Sequence, residues 1–106
     1  MKIQGDEQLP IVILESQIVV FCQRHHIRRL ALFGSVLRDD FRPESDVDVL
    51  VEFEADHIPG LIGLITMQEE LAAIWGHPVD LITPKFLHRH IRQRVLDDAQ
   101  VIYDAA

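Results

Sequence analysis

Gly34-Ser35, ten further residues and then Asp46-Val47-Asp48 form the stretch of this 106-residue chain best suited to chemistry. On a strand, carboxylates at i and i+2 point to one face with Cβ atoms about 6.6 Å apart, so their oxygens can converge. Magnesium takes hard oxygen ligands, usually one or two carboxylates, and leaves the rest of its octahedron to water and substrate phosphate. A third acid, Asp80 in Pro78-Val79-Asp80-Leu81-Ile82, lies between apolar neighbours, where an uncompensated buried charge is costly and a cation or a proton would relieve it. Three acids on neighbouring strands suit two-metal catalysis of an in-line displacement at phosphorus. Asp80 is also the candidate to accept the proton of an attacking hydroxyl. Gly34 allows a tight turn, and Ser35 can offer its hydroxyl and backbone N–H to a phosphate at the start of a helical turn. Arg38, one turn further, can hold the same phosphate or neutralise a departing pyrophosphate.

Each piece has a plainer reading when taken alone. Alternating acids are common on a solvated strand face, Gly-Ser is an ordinary turn, Asp80 could be a buried acid paired with Arg28, Arg29 or a lysine, and Arg38 could form a surface ion pair with Asp39, Asp40 or Glu44. Specificity lies in the combination and its spacing.

The elements that must position these residues follow from apolar periodicity. Val47, Val49 and Val51 alternate with Asp46, Asp48, Leu50 and Glu52, which predicts a strand. Ahead of it, Ile11, Leu14, Ile18, Phe21 and Cys22 recur at helical spacing, predicting a helix from Pro10 to His25. Arg28 to Phe33 then forms a short buried strand that stops at Gly34. After the break at Pro59-Gly60, the residues Leu61, Leu64, Ile65, Leu71, Ala72 and Trp75 predict a second helix capped by Gly76. Pro78 to Thr83 is a third strand. Thr83 caps a last helix with Pro84 in its first turn and Leu87, Ile91 and Val95 on one face, and Val101 to Asp104 closes the chain as a strand or an extension on the sheet. The alternation implies an α/β (α+β) fold, a mixed sheet packed with helices, in a single domain over residues 1–106.

Composition narrows the function. With 10 Lys+Arg against 17 Asp+Glu the net charge is −7, which opposes non-specific binding to nucleic acid or anionic lipid. The single cysteine, Cys22, lies on an apolar stripe and cannot form an intrachain disulfide; with no basic-then-apolar leader, a cytoplasmic location is expected. No apolar run approaches the roughly 20 residues of a membrane span. The six histidines lack metal-binding spacing, since His25-His26 are adjacent and His88 and His90 face apart on a helix. Lys85, Arg89 and Arg92 make a basic strip that is either solvated or turned to ATP phosphates or an acidic partner. The segment from Ile58 to Ile65, apolar nearly all round, is either buried on two sides or a partner interface.

The pattern Gly34-Ser35, ten residues, Asp46-x-Asp48, with Asp80 later on a strand, resembles the signature of the DNA polymerase beta-like nucleotidyltransferase superfamily. More narrowly, LFGSVLRDDFRPESDVDVLVEF followed by LITMQEELAAIWGHPVDLITPKFL is similar to the minimal nucleotidyltransferases, over nearly all of the chain from Ile27 to Tyr103. The resemblance implies the small nucleotidyltransferase fold, ATP as substrate and Mg2+ as cofactor. It implies that Asp46, Asp48 and Asp80 hold metal and that Gly34, Ser35 and Arg38 hold the nucleotide. Its implied partner is a HEPN-domain ribonuclease toxin, adenylylated on a tyrosine, which makes this chain an antitoxin. Relatives often carry glycine after the arginine, whereas Asp39 stands here, adding negative charge beside the phosphate site. Two other functions fit the residues: an antitoxin that neutralises by covering its partner without catalysis, and an adenylyltransferase for a small molecule such as an aminoglycoside, which would normally need a further substrate-binding domain.

Overall fold

Val47, Val49 and Val51 are fully buried, as their period of two requires, and the strand they define, β2 (Val47–Phe53), is central to the fold. The computed structural model describes residues 9–105. Around β2 stand α1 (Glu15–Arg24), β1 (Ile27–Phe33), α2 (Leu61–Trp75), β3 (Val79–Ile82), α3 (Arg89–Asp98) and β4 (Gln100–Asp104), with short 3-10 turns at Gly34–Leu37, Ala55–His57 and Pro84–Phe86. The strands run in the order β3-β2-β1-β4. β1 is antiparallel to both β2 and β4, and β2 is parallel to β3, with α2 making the crossover. This is the mixed α/β sheet that the sequence implies.

Helices cover both faces of the sheet. Ile18, Phe21 and Cys22 of α1 and Met67, Leu71 and Trp75 of α2 pack on Leu30, Leu32 and the three valines of β2. Burial pushes the Cys22 thiol up to about 12, so the cysteine is a core residue, as its place on the apolar stripe suggests. On the opposite face Ala31, Leu50 and Leu87 form a smaller cluster, joined by Ile82 and by Val95 and Leu96 of α3. At the outer side of β3, the Leu81 N–H donates to the Gln68 side chain of α2 at 2.8 Å. Among the described residues no helix is long and apolar enough to cross a membrane.

Three element readings are corrected. The first helix starts at Glu15 rather than Pro10: Ile11 and Ile13 are buried while Val12 and Leu14 are exposed, the period of extended chain. On α2 the buried stripe runs through Met67, Leu71 and Trp75, with Leu64 and Ala72 packed beside it, while Leu61 and Ile65 are exposed. One sheet covers one side of a helix, so a helix apolar all round leaves part of its surface in solvent. Gly76 does cap it, with φ 71° and its N–H on the Ala72 carbonyl. Thr83 provides no side-chain cap; Pro84–Phe86 form a separate 3-10 turn, and α3 begins at Arg89, capped by His88, which accepts the His90 N–H. Leu87 is buried but precedes the helix, and Ile91 is exposed.

Candidate active site

Gly34 ends β1 with φ +76°, a conformation that costs a residue with a Cβ, and starts the 3-10 turn through Leu37. Val36 of that turn is buried, which anchors it, and the Arg38 N–H closes it on the Ser35 carbonyl at 2.9 Å. Ser35 therefore sits in the first turn of a short 3-10 segment. Gly34 is also required sterically. Phe33 pairs with Asp48 across β1 and β2, and a Cβ on residue 34 would overlap Asp48 Oδ2 and lie 3.2 Å from its Cγ.

Strand register brings two of the carboxylates together, while the three aspartates do not gather with all their ligand oxygens within 4.8 Å of one another. Asp48 of β2 is the register partner of Asp80 in β3, and Leu50 that of Ile82. The Val47 N–H donates to the Pro78 carbonyl at 2.8 Å, setting this alignment. Asp48 and Asp80 thus lie side by side on the α3 face of the sheet, about 4.8 Å apart along the hydrogen-bonding direction. Asp46 lies one residue before β2 and is exposed, Asp48 is half-buried, and Asp80 is exposed. The expectation that Asp80 is buried among apolar neighbours is corrected: Val79 and Leu81 point into the core and Asp80, between them, points out. Its flanking residues are apolar because they alternate with it. Arg28 and Arg29 pair with Glu52, and Arg29 also with Asp104.

Burial and the negative fields of Asp80 and Asp46 hold the Asp48 carboxyl above its ordinary value, against an opposing pull from Arg38. Like charges gathered around a half-buried carboxyl favour its neutral form unless a cation joins them. This all-oxygen donor set fits magnesium in chemical type. Arg38 lies within electrostatic reach of Asp48, and its Nε donates to Asp40 at 3.3 Å on an exposed surface. Asp40 is the partner the Arg38 side chain takes in the structure.

Some supporting residues carry no signal in the sequence. The turn before Asp46 is tied by Arg42 and Ser45, whose backbone N–H groups donate to the Ser45 hydroxyl and the Arg42 carbonyl at 3.0 and 2.9 Å. Phe41 packs on His77 with ring centroids 5.2 Å apart, joining the loop that precedes β2 to the entry of β3. A cavity of about 640 Å³ flanks the 3-10 turn, lined by Val36, Leu37, Arg38, Asp39 and Phe41 among others, beside the aspartates rather than over them. The basic strip is broken: Lys85 precedes α3, and Arg92 turns back to the carbonyls of Leu87 and Lys85.

A family model described as a nucleotidyltransferase domain matches residues 14–102, and the chain belongs to that family, with the fold and enzyme class that its motif implies. Over 81 residues it is 38% identical to the protein adenylyltransferase MntA of Thermococcus cleftensis, spanning 76% of this chain and 78% of that one. The fold is shared with a toxin-antitoxin crystal structure containing AMP-PNP, at TM-score 0.69 and 20% identity, covering 88% of this chain and 75% of the other. It is also shared with the MNT antitoxin complex of a tri-AMPylated Shewanella oneidensis HEPN toxin, at TM-score 0.58 and 20% identity, covering 86% and 70%.

Proposed function

We propose that this nucleotidyltransferase moves AMP from ATP to a hydroxyl of a protein partner, a tyrosine of a HEPN-domain toxin, and so acts as an antitoxin. The observation that carries the reading is the register of Asp48 with Asp80 beside Asp46, with the Gly34 turn pressed against Asp48. The likeness to a protein adenylyltransferase and to complexes containing AMP-PNP and an AMPylated HEPN toxin supports the choice of nucleotide and partner. The acting unit is one domain, residues 1–106, working in the cytoplasm, with no direct role for nucleic acid.

Asp46, Asp48 and Asp80 are the residues that would hold Mg2+, which supplies neutralisation of triphosphate charge and stabilises the entering and leaving oxygens. Gly34 and Ser35 receive a phosphate through the backbone and the hydroxyl of the turn, and Arg38 leaves Asp40 to contact the same group. The acceptor hydroxyl oxygen bonds to the α-phosphorus as the bond to the β-phosphate oxygen breaks. Pyrophosphate departs, and the hydroxyl proton passes to Asp80. Positioning and charge neutralisation account for most catalysis of this type, so a small site suffices.

Incubation with ATP labelled on its α-phosphate, magnesium and a HEPN-domain partner is expected to label the partner, and Asp48→Asn to reduce the rate by about a thousandfold. Neutralisation of the partner that persists unchanged in Asp48→Asn, with no label transferred, would establish the covering antitoxin instead. Label appearing on an aminoglycoside but never on protein would establish the small-molecule reading.

A further inference from the structure

His26 is remote in sequence from Glu54 and His57, and the three are adjacent in space. Their ligand atoms all lie within 4.8 Å of one another. His26 Nδ1 and His57 Nδ1 are each 3.8 Å from the same oxygen, Oε1 of Glu54, and the two imidazoles stack with centroids 3.8 Å apart at 16°. At 3.8 Å the side chains are too far apart for direct hydrogen bonds. The spacing suits donors that share an ion: a tetrahedral site with metal–ligand distances near 2.05 Å places its donors about 3.3 Å apart. Because imidazole lone pairs lie in the ring planes, the stacked rings must turn out of their stack for both nitrogens to face one ion, a rotation open to exposed side chains.

The backbone holds the three residues together. The Glu54 N–H donates to the His26 carbonyl at 3.0 Å, and the His57 N–H to the Glu54 carbonyl at 2.9 Å. His26 has φ +57°, the only positive φ at a non-glycine residue among those described; this turns the chain between α1 and β1 and sets its ring against that of His57. Position separates the cluster from the active site: Glu54 is six residues beyond Asp48 along β2 and its exit, about 20 Å of extended strand. Donor chemistry separates it too. Two imidazole nitrogens and one carboxylate select borderline transition metals of the zinc class, whereas a trio of carboxylates suits magnesium.

We infer that His26, Glu54 and His57 form a second metal site, which binds a zinc-class divalent cation and ties the α1–β1 corner to the turn that leads into α2. Three protein ligands on an exposed surface leave a fourth position for water. Such a cation stabilises the folded chain by binding it and not the unfolded one.

The test is calorimetric titration of the full chain with zinc chloride in excess magnesium chloride, with thermal unfolding in parallel. One saturable equivalent is expected, along with a midpoint raised by about 5 °C or more at saturating zinc. Both effects should weaken at least about tenfold in affinity in His57→Ala and in His26→Asn, the latter chosen because asparagine accepts positive φ. They should persist in Asp46→Asn/Asp48→Asn. Absence of saturable binding would overturn the proposal, as would zinc binding that survives both histidine substitutions, that disappears with the aspartates, or that is removed by His88→Ala.

Discussion

On the face covered by α1 and α2, Phe21, Leu30 and Leu71 are at most 1% exposed, within a cluster that draws on every strand of the sheet. The face under α3 has a buried set of three residues among those described, Ala31, Leu50 and Leu87, and next to it along β2 and β3 stand Asp48 and Asp80. The same strands supply both faces, since alternate residues of β2 go to the dry core and to the carboxylate cluster. A site proposed to admit ions and phosphate cannot be roofed with apolar side chains, and cohesion is concentrated on the opposite side. The half-buried Asp48, held among like charges, is tolerated because Val47 and Val49 beside it are fully buried.

Four substitutions would break or sharpen this division. Phe21→Ala, on the cohesive face, is expected to cost about 3–5 kcal/mol of stability in denaturant unfolding, while the specific activity of the folded fraction is unchanged; a changed activity would mean that the faces are not separate. Gly34→Ala adds a Cβ against Asp48 at positive φ and is expected to cost about 2 kcal/mol and to abolish label transfer. Arg38→Ala is expected to raise the KM for ATP about tenfold, ~1.4 kcal/mol, with little change in stability. An unaltered KM would limit Arg38 to its ion pair with Asp40. The smallest effect has the opposite sign. Asp48→Asn, measured in chelator at neutral pH, is expected to stabilise the inactive protein by about 0.5 kcal/mol once solvent screening is counted, or about 2–4 °C. A carboxyl whose folded value lies above its unfolded value binds more protons folded than unfolded, so the wild type gains stability as pH falls through the raised value. The advantage of Asp48→Asn should therefore disappear in acid, as unfolding curves across that range will report.

Much of this was legible in the residues. β2 announced itself through its valines, Gly76 through its position after an apolar run, and the Gly-Ser and Asp-x-Asp spacing brought the candidate site with it. The burial argument for Asp80 failed: its neighbours are buried but it is not, because a strand sends alternate residues to opposite sides. The start of α1 was misread because Ile11, Leu14 and Ile18 mimic a helical period, although Ile11-Val12-Ile13-Leu14 equally reads as extended chain, which is what the core uses. For Leu61 and Ile65, no local rule distinguishes the covered side of an apolar helix from the uncovered one. The grouping of His26, Glu54 and His57 depends on a hydrogen bond between residues 26 and 54, a tertiary pairing that sequence spacing does not encode.

The hydrogen bond that the Leu81 N–H, on the outer side of β3, donates to the Gln68 side chain has a consequence for self-association. Uncapped border strands invite another chain to add itself by main-chain pairing, the first step toward filaments. With that N–H already taken by a side chain of its own crossover helix, β3 is a poor template for recruitment, which leaves β4 as the sheet border more open to such pairing.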